Sequence, residues 1–226
     1  MSVAEAGRER SCTVTIDELV LADDPHRWRE LGFELDGDAT TVGAVRIRFA
    51  GRDATDRRTA TGLLGWSLRG VSATELDGIP TELSRSHAPA LAGAHSNGVV
   101  AIDHVVAFSP QLDRTVDALR AAGLDLRRIR EEPTPAGAPR QAFFRLGAEI
   151  LEVVQLPRER LELAGGPDAP ARLWGLAFIV ADLDAAVDAL APHAGEAHDA
   201  VQEGRRIATV RRSAGLAVPV ALMSDR

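Results

Sequence analysis

Leu112-Asp113-Arg114-Thr115-Val116-Asp117-Ala118-Leu119 and Leu183-Asp184-Ala185-Ala186-Val187-Asp188-Ala189-Leu190 agree at six of eight positions and lie 71 residues apart. Such an echo is the mark of an internal duplication. In each copy the apolar residues fall at spacings of four and three (Leu112, Val116, Leu119 and Leu183, Val187, Leu190), which lines one face of a short amphipathic helix. Each helix follows a stretch rich in Val, Ile and Phe, Val99 to Phe108 in one copy and Trp174 to Ala181 in the other, with the composition of a strand. The chain therefore reads as repeated strand-helix units.

Working outward from the first helix, Gly123 suits a left-handed helix cap, and Leu124-Asp125-Leu126 restarts an extended run. Strands follow at Gln141 to Leu146 and Glu149 to Gln155, with Gly147 in the turn between them, so this unit reads βαβββ. The later unit repeats the order with a weak strand near Glu196 to Val201 and further strands at Arg206 to Arg212 and Ala217 to Met223. A diverged copy is expected at the front: a strand over Thr13 to Leu21, a helix over Pro25 to Leu31, then extended runs at Gly32 to Leu35, Val42 to Phe49 and Leu63 to Val71. The expected units are 12–72, 99–156 and 172–224, joined by connectors 73–98 and 157–171 that are rich in Ala, Gly, Pro and Ser. Glu131 to Pro139, with its three prolines, can only be an irregular loop. The fold class is α+β, built from curved and mostly antiparallel sheets.

Composition narrows the chemistry. All 26 basic residues are Arg, and Lys and Tyr are absent, which excludes a lysine Schiff base, a P-loop lysine and a tyrosine acid. With Cys12 the only cysteine, no disulfide can form within the chain. A net charge of −7 without a long cationic stretch argues against nucleic acid and acidic membranes as partners. Arg pairs such as Arg127/Arg128 and Arg205/Arg206 are scattered and read as solvated rims. The apolar runs are too short to span a membrane, and no apolar segment follows the charged N-terminus, so the expectation is a cytoplasmic protein. Nucleotide-binding, serine-hydrolase, zincin and CxxC motifs are missing.

Ile102-Asp103-His104-Val105-Val106, the helix from Asp113, Gln141-Ala142-Phe143-Phe144-Arg145-Leu146-Gly147 and Glu149-Ile150-Leu151-Glu152-Val153-Val154 together resemble a βαβββ module of the vicinal oxygen chelate superfamily. That group holds glyoxalase I, bleomycin-resistance proteins, extradiol dioxygenases and glyoxalase-like proteins. Gly175 to Asp184 is similar to the start of a second module. The resemblance implies paired modules whose sheets form a cup around a divalent metal, held by a His from a first strand and a Glu from a last strand. The matching positions here are His104 and Glu152, a donor pair that suits Fe, Mn, Ni, Zn or Mg. Alternation puts His104 on the face of Ile102 and Val106, and Glu152 on that of Ile150 and Val154.

The second half departs from the pattern. The 71-residue offset places Gly175 and Ala221 where the partner module's ligands belong, so four ligands cannot be assembled. Glu18, at the matching position of the first copy, is the candidate third ligand. Trp66, Phe108, Phe144 and Trp174 are candidates to line the cup, with Phe143 and Phe178 in the core, and Arg145 and Arg206 are candidates to hold an anionic substrate. His193, Glu196 and His198 fall in a loop and read as a solvated turn; His95 precedes the middle unit and could close the rim. Two functions remain open. One is metal-assisted lyase, isomerase or dioxygenase chemistry on a small molecule with His104 and Glu152 as catalytic groups. The other is metal-free sequestration of a small molecule, as in bleomycin resistance. Modules pair, and three copies leave one over, so a homodimer is expected.

Overall fold

A computed structural model describes residues 13–52, 62–134 and 137–225. The middle unit runs β6 (Val99–Ser109), α2 (Leu112–Ala121), β7 (Asp125–Arg130), β8 (Gln141–Leu146) and β9 (Glu149–Gln155); a short α3 (Arg158–Leu161) follows in the connector, and the last unit runs β10 (Arg172–Val180), α4 (Leu183–Ala189), β11 (His198–Asp199), β12 (Arg206–Thr209) and β13 (Val220–Ser224). In both, the first strand is parallel to the last, β6 to β9 and β10 to β13. The two first strands pair antiparallel, giving one eight-stranded sheet in the order β11-β12-β13-β10-β6-β9-β8-β7. The middle and last units are therefore joined edge to edge.

The helices form where the sequence periodicity places them. α2 buries Leu112, Val116 and Leu119, and these share one core with Val105, Ala107, Leu151 and Val153 of the strands. Each such leucine contributes about 2 kcal/mol by leaving water. Asp182 caps α4, its carboxylate accepting from the Ala185 N–H at 3.1 Å. Gly147, at φ +72°, turns the β8–β9 hairpin, in which Leu146 faces Glu149.

The front of the chain differs from a third full unit. β1 (Thr15–Leu21), α1 (Pro25–Glu30), β2 (Ala39–Val42) and β3 (Val45–Phe49) form a shortened unit with β1 parallel to β3, and Gly32 to Leu35 is not a strand. β4 (Leu63–Arg69) does not close this unit. It pairs antiparallel with β1, as β10 does with β6, and then runs parallel to β5 (Thr81–Ser84), inside the stretch expected to be a connector. The resulting sheet, β2-β3-β1-β4-β5, thus joins two reduced units by the same edge contact as the large sheet.

Phe178, on the helix side of β10, lies 5.4 Å from Phe33 and 6.1 Å from Trp28, measured between ring centroids. The small unit therefore packs on the helix side of the large sheet, whose other face it leaves open. Asp23, fully buried, strengthens this junction by accepting from the Trp28 Nε1–H at 3.2 Å and the Ala217 N–H at 2.6 Å. Among the described residues no helix is long and apolar enough to cross a membrane.

Candidate functional site

Register determines what the open face carries. Across β7, β8, β9, β6 and β10 one lateral row reads Arg128, Phe143, Glu152, Val106, Gly175; the next reads Arg130, Gln141, Val154, Phe108, Arg172. His104 stands in the row on the other side, between Ile150 and Ala177. Residues in one row point to the same side of the sheet.

A bulge puts a further acid beside His104. His104 pairs with Ala177 and Ile102 with Phe178, so Asp103 has no partner of its own on β10. Two neighbours can then project together where strict alternation would separate them. Asp103 Oδ2 lies 2.6 Å from His104 Nδ1, and His104 Nε2 lies 3.5 Å from Glu152 Oε2. The same bulge turns Ile102 away from His104 and into the main core, against the expected alternation.

Each acid has its own support. Arg205, 7% exposed, donates Nη1–H to Asp103 Oδ1 and to Gln202 Oε1, both at 2.7 Å, and is anchored on the Ser224 carbonyl at 2.9 and 3.0 Å. Burial alone would push the Asp103 carboxyl up, but hydrogen bonds from His104 and Arg205, with their charges, hold it below the usual carboxylate range. An ionised Asp103 accepts, so Nδ1 donates and Nε2 is left facing Glu152. Burial pushes Glu152 the other way, upward, more than the nearby His104, Arg130 and a hydrogen bond from Gln141 Nε2 can offset. The floor of the open face is a chain of groups, Arg205, Asp103, His104, Glu152, Gln141, contributed by three strands and the turn before β12.

Beside this floor lies an apolar patch. Val106, Ala138 and Val154 cluster apart from the main core, with Phe108 and Trp174 packed on them at a ring separation of 4.9 Å. A cavity of about 490 Å³ opens over the β7–β8 side, lined by Arg128, Arg130, Glu132 and Phe143, and bounded opposite by Val201, Gln202 and Glu203.

The structure gathers some of the expected site residues and separates others. His104, Glu152, Phe108 and Trp174 share the open face. Glu18 does not join them: it lies in the small sheet, ion-paired to Arg46 at 3.1 Å and Arg48 at 3.0 Å. Trp66 is 2% exposed and donates its indole N–H to Thr81 within the small sheet. Phe144 is fully buried in the core, while Phe143 faces the cavity, the reverse of the expected pair. Phe178 is core, as expected. Arg206 is held by Asp184 of α4 at 2.8 Å, on the helix side, and cannot reach the open face. Arg145 is exposed on β8 with the same facing as Phe143. Asp103, Gln141 and Arg205 were not legible as site residues in the sequence.

The donor set does not make a divalent-ion site of the usual kind. His104 and Glu152 supply two ligands, and Asp103 is engaged by His104 and Arg205. The register repeats faithfully in the last unit: Val106, two after His104, faces Glu152, and Ala177, two after Gly175, faces Ala221. The second pair of ligand positions is thus held by residues without donors. Among the described residues no three His, Cys, Asp or Glu groups come together around a point, whereas catalytic divalent sites ordinarily take three protein ligands.

No protein-family model and no curated protein matches this chain. A solved xylose isomerase-like TIM barrel/4-hydroxyphenylpyruvate dioxygenase fusion protein superposes with a TM-score of 0.61 over 95% of this chain, which spans 49% of that one, at 13% identity. The chain has the vicinal oxygen chelate fold. Methylmalonyl-CoA epimerase from Mycobacterium tuberculosis matches this fold over 58% of the present chain and 91% of its own, with a TM-score of 0.48 and 20% identity. The Streptomyces coelicolor epimerase, solved with 2-nitronate-propionyl-CoA, matches over 56% and 95%, with a TM-score of 0.45 and 22% identity. At these identities the likeness is one of fold, and activity has to be argued from the side chains.

Proposed function

We propose that this vicinal oxygen chelate protein binds a small molecule on the open face of its large sheet and moves protons on it, with His104 and Glu152 as the two transferring groups. The observation that carries this reading is the linked geometry of Asp103, His104 and Glu152: a carboxylate 2.6 Å from Nδ1, and a partly buried carboxyl 3.5 Å from Nε2. In its neutral form His104 keeps its proton on Nδ1, and Nε2 is the base. Glu152, its pKa raised by burial, is the acid. Asp103, held below the carboxylate range on one side of the imidazole, and Glu152, pushed above it on the other, are carboxyl groups with opposed preferences, as acid–base chemistry requires.

On a substrate with a C–H next to a carbonyl, Nε2 takes the proton from carbon while Glu152 gives its proton to the carbonyl oxygen. The product is a neutral enol, with an imidazolium beside Asp103 and a carboxylate on Glu152. The imidazolium Nε2–H then gives its proton to the same carbon or, in an enediol, to the neighbouring one, while the Glu152 carboxylate takes back the proton of the enol hydroxyl; both groups are regenerated and the substrate is left exchanged, epimerised or isomerised. No step passes through a metal, because the donor set lacks a third ligand.

The test is deuterium incorporation from D2O into small carbonyl compounds, followed by NMR. His104→Ala and Glu152→Gln should each slow exchange by about 100-fold or more, the usual contribution of a positioned acid or base. Exchange at the wild-type rate in both variants would refute the assignment. Saturable binding by a protein that exchanges nothing in any form would instead establish the sequestering function.

A further inference from the structure

Resting on that reading, the structure assigns a substrate class to the site: a small organic acid, carboxylate or phosphate, that also carries a hydroxyl group. Three features of the open face converge on it. The first is the line Arg128, Phe143, Glu152 across three adjacent strands, a cation, an apolar ring and the buried acid in one row. Strands stand about 4.8 Å apart, so the Arg128 and Glu152 backbones are separated by about 10 Å. A small molecule can bridge that span between the guanidinium and the acid.

The second feature is charge. In a chain of net charge −7, the wall formed by β7 and β8 presents Arg128, Arg130 and Arg145 to the open side. Arg130 is held only loosely, 3.7 Å from a Glu132 side chain that is 74% exposed. Among the described residues no carboxylate lies within ion-pair distance of Arg128 or Arg145. Glu203, the other acid lining the cavity, belongs to the turn before β12 and makes no ion pair with Arg128 or Arg130 among the described residues. Guanidinium groups bind carboxylate and phosphate oxygens in pairs of parallel hydrogen bonds, so one wall of the cavity is built for an oxoanion.

The third feature is an unused acceptor. Gln141 is 8% exposed; its Nε2 donates to Glu152, and its Oε1, also buried, has no hydrogen-bond partner. A buried carbonyl oxygen left unpaired is costly. Gln141 stands beside Arg130 on β7 and Val154 on β9, in the row next to Glu152. A hydroxyl on the ligand supplies the missing donor at the place where the anion and the reactive carbon are held on either side.

The probes are mandelate, with anion and hydroxyl, phenylacetate, with the anion alone, and mandelamide, with the hydroxyl alone. Affinities are measured by calorimetry and by NMR shifts of the Arg Nε–H groups and the Phe143 amide. Mandelate should bind about tenfold or more tightly than either of the others, the range of one charge-assisted hydrogen-bond set. The double variant Arg128→Gln with Arg130→Gln should reduce mandelate to the affinity of mandelamide while its melting temperature is kept. Equal affinities, an anion preference that survives in the double variant, or no saturable mandelate binding through the millimolar range would each overturn the assignment. Arginine-dependent binding without deuterium exchange would sink the proton-transfer reading alone and leave this one standing.

Discussion

Replacing Glu152 by Gln should stabilise the protein at neutral pH, although it removes a group placed at the reaction centre. In the fold Glu152 Oε1 accepts from Gln141, Oε2 faces His104, and the side chain is 17% exposed. Burial raises its pKa despite His104 and Arg130. A carboxyl with a raised folded pKa favours the folded state below its unfolded pKa, near 4.3, and loses that contribution as pH rises through the folded value. An amide of the same shape never pays this cost. A largely buried carboxylate without full compensation costs several kcal/mol, and the Gln141 bond with the nearby Arg130 offsets part of it, leaving about 2 kcal/mol. For a chain of this length that is a rise of about 4–8 °C in Tm at pH 8, shrinking to nothing below about pH 4. Differential scanning calorimetry of both proteins across pH measures it. A lower Tm for Glu152→Gln at pH 8, or a difference that is the same at every pH, would refute the account of a destabilised, proton-holding acid.

Three further outcomes follow from the geometry. Phe144→Ala should cost about 3–5 kcal/mol in chemical denaturation, whereas Phe143→Ala should cost less than about 1 kcal/mol, because only the first leaves a cavity in the core; similar costs would show that the register of β8 is wrong. Asp23→Ala should lose about 2–3 kcal/mol by stranding the Trp28 and Ala217 N–H donors at the junction of the two sheets, and an unchanged midpoint would show that those bonds do not hold it. Metal analysis of protein purified without chelator should find no stoichiometric Fe, Mn, Ni or Zn; near one ion per chain, lost in His104→Ala, would overturn the reading of the donor set.

The repeated units were legible because duplication leaves both a period and an echo. The six shared residues of the two helices, with Val- and Ile-rich runs before each, were enough to place β6, α2, β10 and α4. The candidate site was legible only in part. His104 and Glu152 stood out as ionisable groups within apolar strands, but Asp103 was hidden by the assumption of alternation, and no propensity marks the bulge that brings it round. Phe143 and Phe144 are degenerate under a period of two, yet the hairpin contains the answer: with Leu146 opposite Glu149, Phe143 falls opposite Glu152 and must share its face. Arg205 and Arg206 are degenerate in the same way, and there the choice rests on Asp103 and Asp184, partners distant in sequence. At the front, the loss of whole strands left no echo to align, so the second reduced unit was read as part connector.

The asymmetry between the two halves of the large sheet bears most directly on function. The sheet is pseudo-symmetric about the β6–β10 contact, and the middle unit carries His104 and Glu152 where the last unit carries Gly175 and Ala221. A Cβ on Gly175 would stand 3.0 Å from the Pro219 carbonyl oxygen, so a side chain at that position would press on the neighbouring backbone. A second histidine in the last unit would therefore require the Pro219 backbone to give by a few tenths of an ångström. What the last unit gives to the site is Arg205, which lies before β12 and reaches across to Asp103. In the proposed function one unit holds the proton-transferring groups and the other orients them. A symmetric cup would present the same donors from both sides and suit a chelated ion at its centre. Here His104 and Glu152 stand on one side and the β7 guanidinium groups beyond them, so the proposed acid substrate would have a single productive orientation, with its anionic end toward β7 and its reactive carbon over β9 and β6.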